Sequence, residues 1–156
     1  MGELARRRGG SRTDPRQPPT DRSCSPRDGG PEMLILRIIA VIHGLSLIAG
    51  ETYRSWGAGR HWLFVVDDYW IAGLLLVGAF LVKPANARTR ALFAAGWGAN
   101  AGMLYGSFFG KLIEPASSNP GNFGIGPLTA LIGLAFVTSV LGMTASILLP
   151  AGSRAA

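Results

Sequence analysis

The sequence predicts an all-α fold: an integral membrane four-helix bundle behind a disordered basic N-terminal tail. Three observations carry that prediction. Of 156 residues, 48% are hydrophobic and only 15% charged, which is a membrane-like balance. From Leu34 the apolar residues fall into four long runs, each near the roughly 20 residues that cross about 30 Å of hydrocarbon. The breaks between runs are short and rich in Gly, Pro and polar residues, as turns are. In a bilayer each backbone group must find its partner within its own segment, so spans this long and apolar should be helices.

The tail, residues 1–32, comes first. It holds Arg6, Arg7, Arg8, Arg12, Arg16, Arg22 and Arg27 among Pro, Gly, Ser and Asp, with no aromatic residue. Such a segment has too little apolar surface to order itself. The chain carries a net charge of +6, but a tail without aromatics reads as a solvated cytoplasmic arm that fixes topology, and no nucleic-acid partner is expected. Met33, at the edge of the first apolar run, is an alternative start of translation. Arginine outnumbers lysine 13 to 2, with abundant Ala and Gly; that usage fits a GC-rich bacterial genome and an inner-membrane location. The single cysteine, Cys24, excludes an intrachain disulfide and any two-thiol relay.

The membrane domain, 33–150, is expected to span at 34–52, 63–82, 91–110 and 128–149, with a short tail at 151–156. The first run ends LSLIAG, which resembles a cleavable signal, but Arg37 and His43 interrupt it and the span is read as retained. The breaks are TYRSWGAGRHW, KPANARTR and KLIEPASSNPGNFGIGP. Basic residues concentrate in the N-terminal tail and the second loop (Lys83, Arg88, Arg90), against Arg54 and Arg60 in the first loop and Lys111 in the third. Positive-inside counting therefore puts both termini in the cytoplasm.

The third run carries Ala94, Gly98, Gly102, Gly106 and Gly110 at intervals of four. Each interior glycine would cost a soluble helix about 0.5–1 kcal/mol against alanine. In lipid, where burying apolar surface gains nothing, such a ridge lets two helix backbones approach. Thr138, Gly142 and Ser146 on the fourth run repeat the spacing and offer an opposing surface. The expected partners are the bilayer and either a second copy or other membrane protein subunits.

Polar residues at membrane depth are costly and supply the site candidates. His43 and Asn100 each lie about 13 Å from the inner end of their spans, and Thr138 and Ser139 fall at a similar level. His43 reads as a proton-carrying or ligand-binding group, or as a histidine bonded to Asn100 to join two helices. Asp67 and Asp68, in LFVVDDYW, lie about 6–8 Å below the outer edge, with Tyr105 at a matching depth and Arg60 and His61 above. They form either a cation or proton site or the acidic first turn of a helix. The candidate substrate or proton pathway is His43, Asp67, Asp68, Asn100 and Tyr105. Trp56, Trp62, Tyr69 and Trp70 fit interfacial aromatics, and Glu51 and Arg54 read as a surface pair.

No catalytic residue, metal or cofactor is expected. The sequence has no GK[ST] phosphate loop, G-x-S-x-G, C-x-x-C or H-E-x-x-H, motifs that would signal such chemistry. Two histidines at different depths argue against a haem; a metal held by His61, Asp67 and Asp68 is a weak alternative. Two function classes result. One is a non-enzymatic membrane subunit or accessory protein. The other is a small oligomeric transporter or proton-coupled permease using Asp68 and His43.

Overall fold

The structure, a computed structural model, describes residues 30–59 and 61–149; the arginine-rich tail, Cys24, Arg60 and the C-terminal tail lie outside them. The described residues form four α-helices and no strand: α1 Pro31–Ser55, α2 Trp62–Leu81, α3 Ala87–Ile113 and α4 Ile125–Leu148, with a 3₁₀ turn at Pro115–Ser117 before α4.

The helices overrun the apolar runs because end turns are built from polar chemistry. Helix α1 starts on Pro31, whose fixed φ and missing N–H suit the first turn. Helix α3 starts four residues ahead of its apolar run, where Asn86 Oδ1 accepts from the N–H groups of Arg88 (3.0 Å) and Thr89 (3.4 Å), satisfying two orphan donors. His61 Nδ1 accepts from Leu63 N–H at 3.3 Å to open α2. Asp67 and Asp68 sit beyond that first turn, which contains no acidic residue.

Helices α1 and α4, 25 and 24 residues, are long and apolar enough to cross a membrane, and only 28% and 17% of their most apolar stretches are buried. Apolar side chains such as Ile35, Ile38 and Leu45 on α1 and Leu141 and Ile147 on α4 face outward. A helix in the core of a soluble protein would bury them.

The helices pack as antiparallel neighbours, α1 on α2, α2 on α3 and α3 on α4, while α1 and α4 barely touch. At the end near the chain termini the contact is tight. Met33, Leu36, Ala40, Leu75, Ala79, Phe93 and Trp97 form one buried cluster. A Cβ on Gly96 would lie 2.9 Å from Leu75 Cα, and one on Gly78 would lie 3.0 Å from Phe93 Cα, so only glycine lets α2 and α3 approach this closely. A Cβ on Gly142 would strike the Trp97 ring at 2.5 Å. Arg37 Nε donates to Ala79 O at 2.9 Å and Arg90 Nη2 donates to Leu149 O, tying α1 to α2 and α3 to the end of α4.

The glycine ridge of α3 is mostly open. Gly98 approaches Met143 Sδ, to which a Cβ would come within 3.3 Å, but Gly102, Gly106 and Gly110 have no described residue within 4 Å of an added Cβ. The opposing residues are occupied elsewhere in the chain: Gly142 holds Trp97, Ser146 donates to Gly142 O and Thr138 donates to Leu134 O. Trp97, between Ala94 and Gly98 in the sequence, fills the α3–α4 seam, and Phe108 packs on Gly133 further along. The seam follows these bulky side chains rather than the glycines.

At the other end the connection to α4 folds back over the end of α1. Asn122 N–H donates to Arg54 O (3.2 Å), and its side-chain Nδ2 donates to Tyr53 O (2.7 Å) and Trp56 O (2.8 Å). Arg54 Nη2 returns a bond to Asn119 O at 2.9 Å. The last carbonyls of α1, which lack partners inside the helix, are satisfied by this loop. Gly121 makes the approach possible: its φ is +61° and a Cβ would lie 2.0 Å from Arg54 O.

Candidate functional site

Because α1 and α4 diverge beneath that loop, a cavity of about 430 Å³ lies between them, within the range of small-molecule sites. Its walls are mainly apolar, and Phe123 of the loop lies over one end. Ile42 of α1 and Leu134 of α4 line the cavity and are 61% and 67% exposed, so it opens sideways between the two helices. From Ile39 to Arg54 it follows α1 for about 22 Å at 1.5 Å per residue.

His43 marks the deep end. It is buried, its Nε2 lies 3.0 Å from Ser139 Oγ of α4, and its ring centroid is 5.3 Å from that of Trp97. Below it Trp97, Phe93 and Leu36 are packed and do not line the cavity, which reaches no lower on α1 than Ile39. The far end is ionic. Glu51 is buried, accepting from Ser55 Oγ at 2.5 Å and pairing with Arg54 Nη1 at 3.3 Å. The expected surface pair is thus an enclosed one, because the loop after α3 covers it. Asp68 of α2 also lines the cavity.

Of the five pathway candidates, His43 and Asp68 share this cavity, with Thr138 on the same wall. Asp67 and Tyr105 are exposed and do not line it; Tyr105 stacks with Phe109 (4.7 Å) and Phe136 (5.9 Å) instead. Asn100 is fully buried but does not meet His43: its Nδ2 donates to Gly96 O (2.9 Å) and Ile71 O (3.2 Å), holding α3 to α2. The mid-depth polar belt therefore divides in two, a His43–Ser139 contact across α1 and α4 and an Asn100 contact across α3 and α2.

Ser139 and His43 resemble the first two members of a nucleophile–base pair. Ser139 is fully buried and does not line the cavity, so no substrate reaches its oxygen. Among the described residues no three of His, Cys, Asp and Glu come together as a metal site, and His61, Asp67 and Asp68 do not converge. Sequence reasoning passed over Ser46, three residues after His43 and on the same wall, though helical spacing could have found it. It also passed over Trp97, which no local signal separates from the interfacial tryptophans. Comparison with protein-family models, curated proteins and solved structures finds no match.

Proposed function

We propose that the chain is a four-span integral membrane protein, termini on the cytoplasmic side, that acts without enzymatic chemistry as a ligand-holding subunit. The observation that carries this reading is the cavity between α1 and α4, apolar in its walls and open sideways. With the helices in a bilayer, that opening faces lipid, and a membrane-soluble molecule enters without crossing water. The packed floor beneath His43 supports a holding site over a through-channel, and the buried position of Ser139 supports binding over catalysis.

The test is extraction of the protein purified in mild detergent, with bound apolar molecules identified by mass spectrometry. Wild type is expected to retain about one molecule per chain, and Ala135→Trp, which fills the cavity wall, to retain none while keeping its helicity. Equal retention by both, or none by wild type in detergent and in native membranes, overturns the reading.

A second reading concerns assembly. The open glycines 102, 106 and 110 present a small-residue face that suits another helix, either of a second copy or of a different membrane subunit. Transport by an oligomer, with Asp68 and His43 in the path, is favoured by the one cavity that both residues line.

A further inference from the structure

The hydroxyl residues of α4 follow one rule with one exception. Thr129, Thr138, Thr144 and Ser146 each donate to the carbonyl four residues earlier, at 2.7–2.9 Å. Ser139, fully buried, makes no such bond; its sole hydrogen-bond contact among the described residues is His43 Nε2. A buried hydroxyl proton without an acceptor is costly, so Ser139 donates to Nε2. A neutral imidazole that accepts at one nitrogen carries its proton on the other, which makes His43 Nδ1–H a donor.

That donor has no acceptor among the described residues. The buried side-chain atoms without a partner among the described residues are Arg54 Nε, Trp97 Nε1 and Asn100 Oδ1; Nδ1 is not sealed among them, and His43 lines the cavity. Ser46 and Ser107, also on the cavity wall, have side-chain hydroxyls that bond nothing among the described residues. An apolar cavity thus presents polar donors at its deep end and along its sides. We propose that the cavity takes a neutral, membrane-soluble molecule bearing a carbonyl oxygen, which accepts a hydrogen bond from His43 Nδ1–H at mid-membrane depth while its hydrocarbon lies along Ile42, Leu131 and Leu134. This rests on the ligand-holding reading and adds the chemical class.

The experiment compares 2-dodecanone with dodecane on protein in lipid nanodiscs. Wild type is expected to bind both and to prefer the ketone by about tenfold, equivalent to about 1.4 kcal/mol. The carbonyl stretch of bound ¹³C-labelled ketone is expected to move to lower frequency than in the lipid alone. ¹⁵N spectra of a His61→Gln protein, which leaves His43 as the sole histidine, are expected to show the proton on Nδ1. In His43→Phe the preference is lost while dodecane still binds. Should that variant fail to fold, the infrared and ¹⁵N results on folded protein decide alone. A proton on Nε2, an unshifted carbonyl band, or equal binding of ketone and alkane overturns the carbonyl assignment and leaves the ligand-holding reading standing; failure to bind either probe overturns both.

Discussion

The two ends of the four-helix structure are built to opposite specifications. Near the termini, Gly78, Gly96 and Gly142 bring backbone against backbone or ring, and Trp97 and Phe93 fill what remains. Under the α3–α4 loop, α1 and α4 separate around about 430 Å³ of space, and the contacts that close this end are hydrogen bonds from a loop to exposed carbonyls. Dispersion contacts are forfeited wherever a wall has no partner atoms, so one end supplies stability and the other gives up some of it to keep a cavity. The same kind of substitution should therefore have different consequences at the two ends.

The largest effect belongs to the packed end. Trp97→Ala empties the seam between α3 and α4 and removes the floor of the cavity; large-to-small changes at fully buried aromatic sites cost about 3–5 kcal/mol. The midpoint of unfolding in mixed micelles, followed by helicity, should fall accordingly. Ala135→Trp at the open end should move it little, since the added ring meets space. Equal destabilisation by the two would erase the distinction between the ends.

How much of this was visible in the sequence depends on the kind of signal. Four apolar runs give four helices, because the hydrophobic residues that mark a run also compose the helix interior; the ends went unseen, since Pro31, Asn86 and His61 act through caps and not through hydropathy. The glycine ladder is legible as one face of α3, but sequence does not say what stands opposite. In the structure, the close-packing helical glycines are Gly44, Gly78, Gly96, Gly133 and Gly142, scattered over four helices without a period. His43 stood out as an ionisable group in an apolar run. The partner expected for it, Asn100, is not the one it meets, because depth alone does not give azimuth: Asn100 turns to the Ile71 carbonyl of α2, and Ser139 is the residue that reaches His43 on α1. The cavity had no sequence signature at all, since it arises from the divergence of two helices far apart in the chain.

An intermediate effect is expected at the loop. Gly121→Ala places a Cβ where Arg54 O already stands, at 2.0 Å, in a backbone with φ +61°. A left-handed conformation alone costs a residue with a side chain about 1–3 kcal/mol, and the clash forces the turn away from α1. The loss should be local: protease cleavage between residues 114 and 124 rises severalfold, while the helicity that comes from the packed end persists. Cleavage at the wild-type rate would mean that the loop holds α1 by contacts other than the Gly121 approach.

The smallest effect on the fold, and the sharpest probe of the exposed surface, is Gly102→Leu. No described residue lies within 4 Å of a Cβ at this position, so the described helices meet no clash there, and replacing an interior glycine by a good helix former gains α3 up to about 1 kcal/mol. The monomer should unfold at the same point or slightly later. Its mass in mild detergent is the informative quantity. If a second copy or another subunit packs on the open ridge, the bulky side chain separates the two backbones and the assembly falls to single chains. If the mass is unchanged, the ridge faces lipid, and the glycines that hold this protein together are those already spent on Leu75, Phe93 and Trp97.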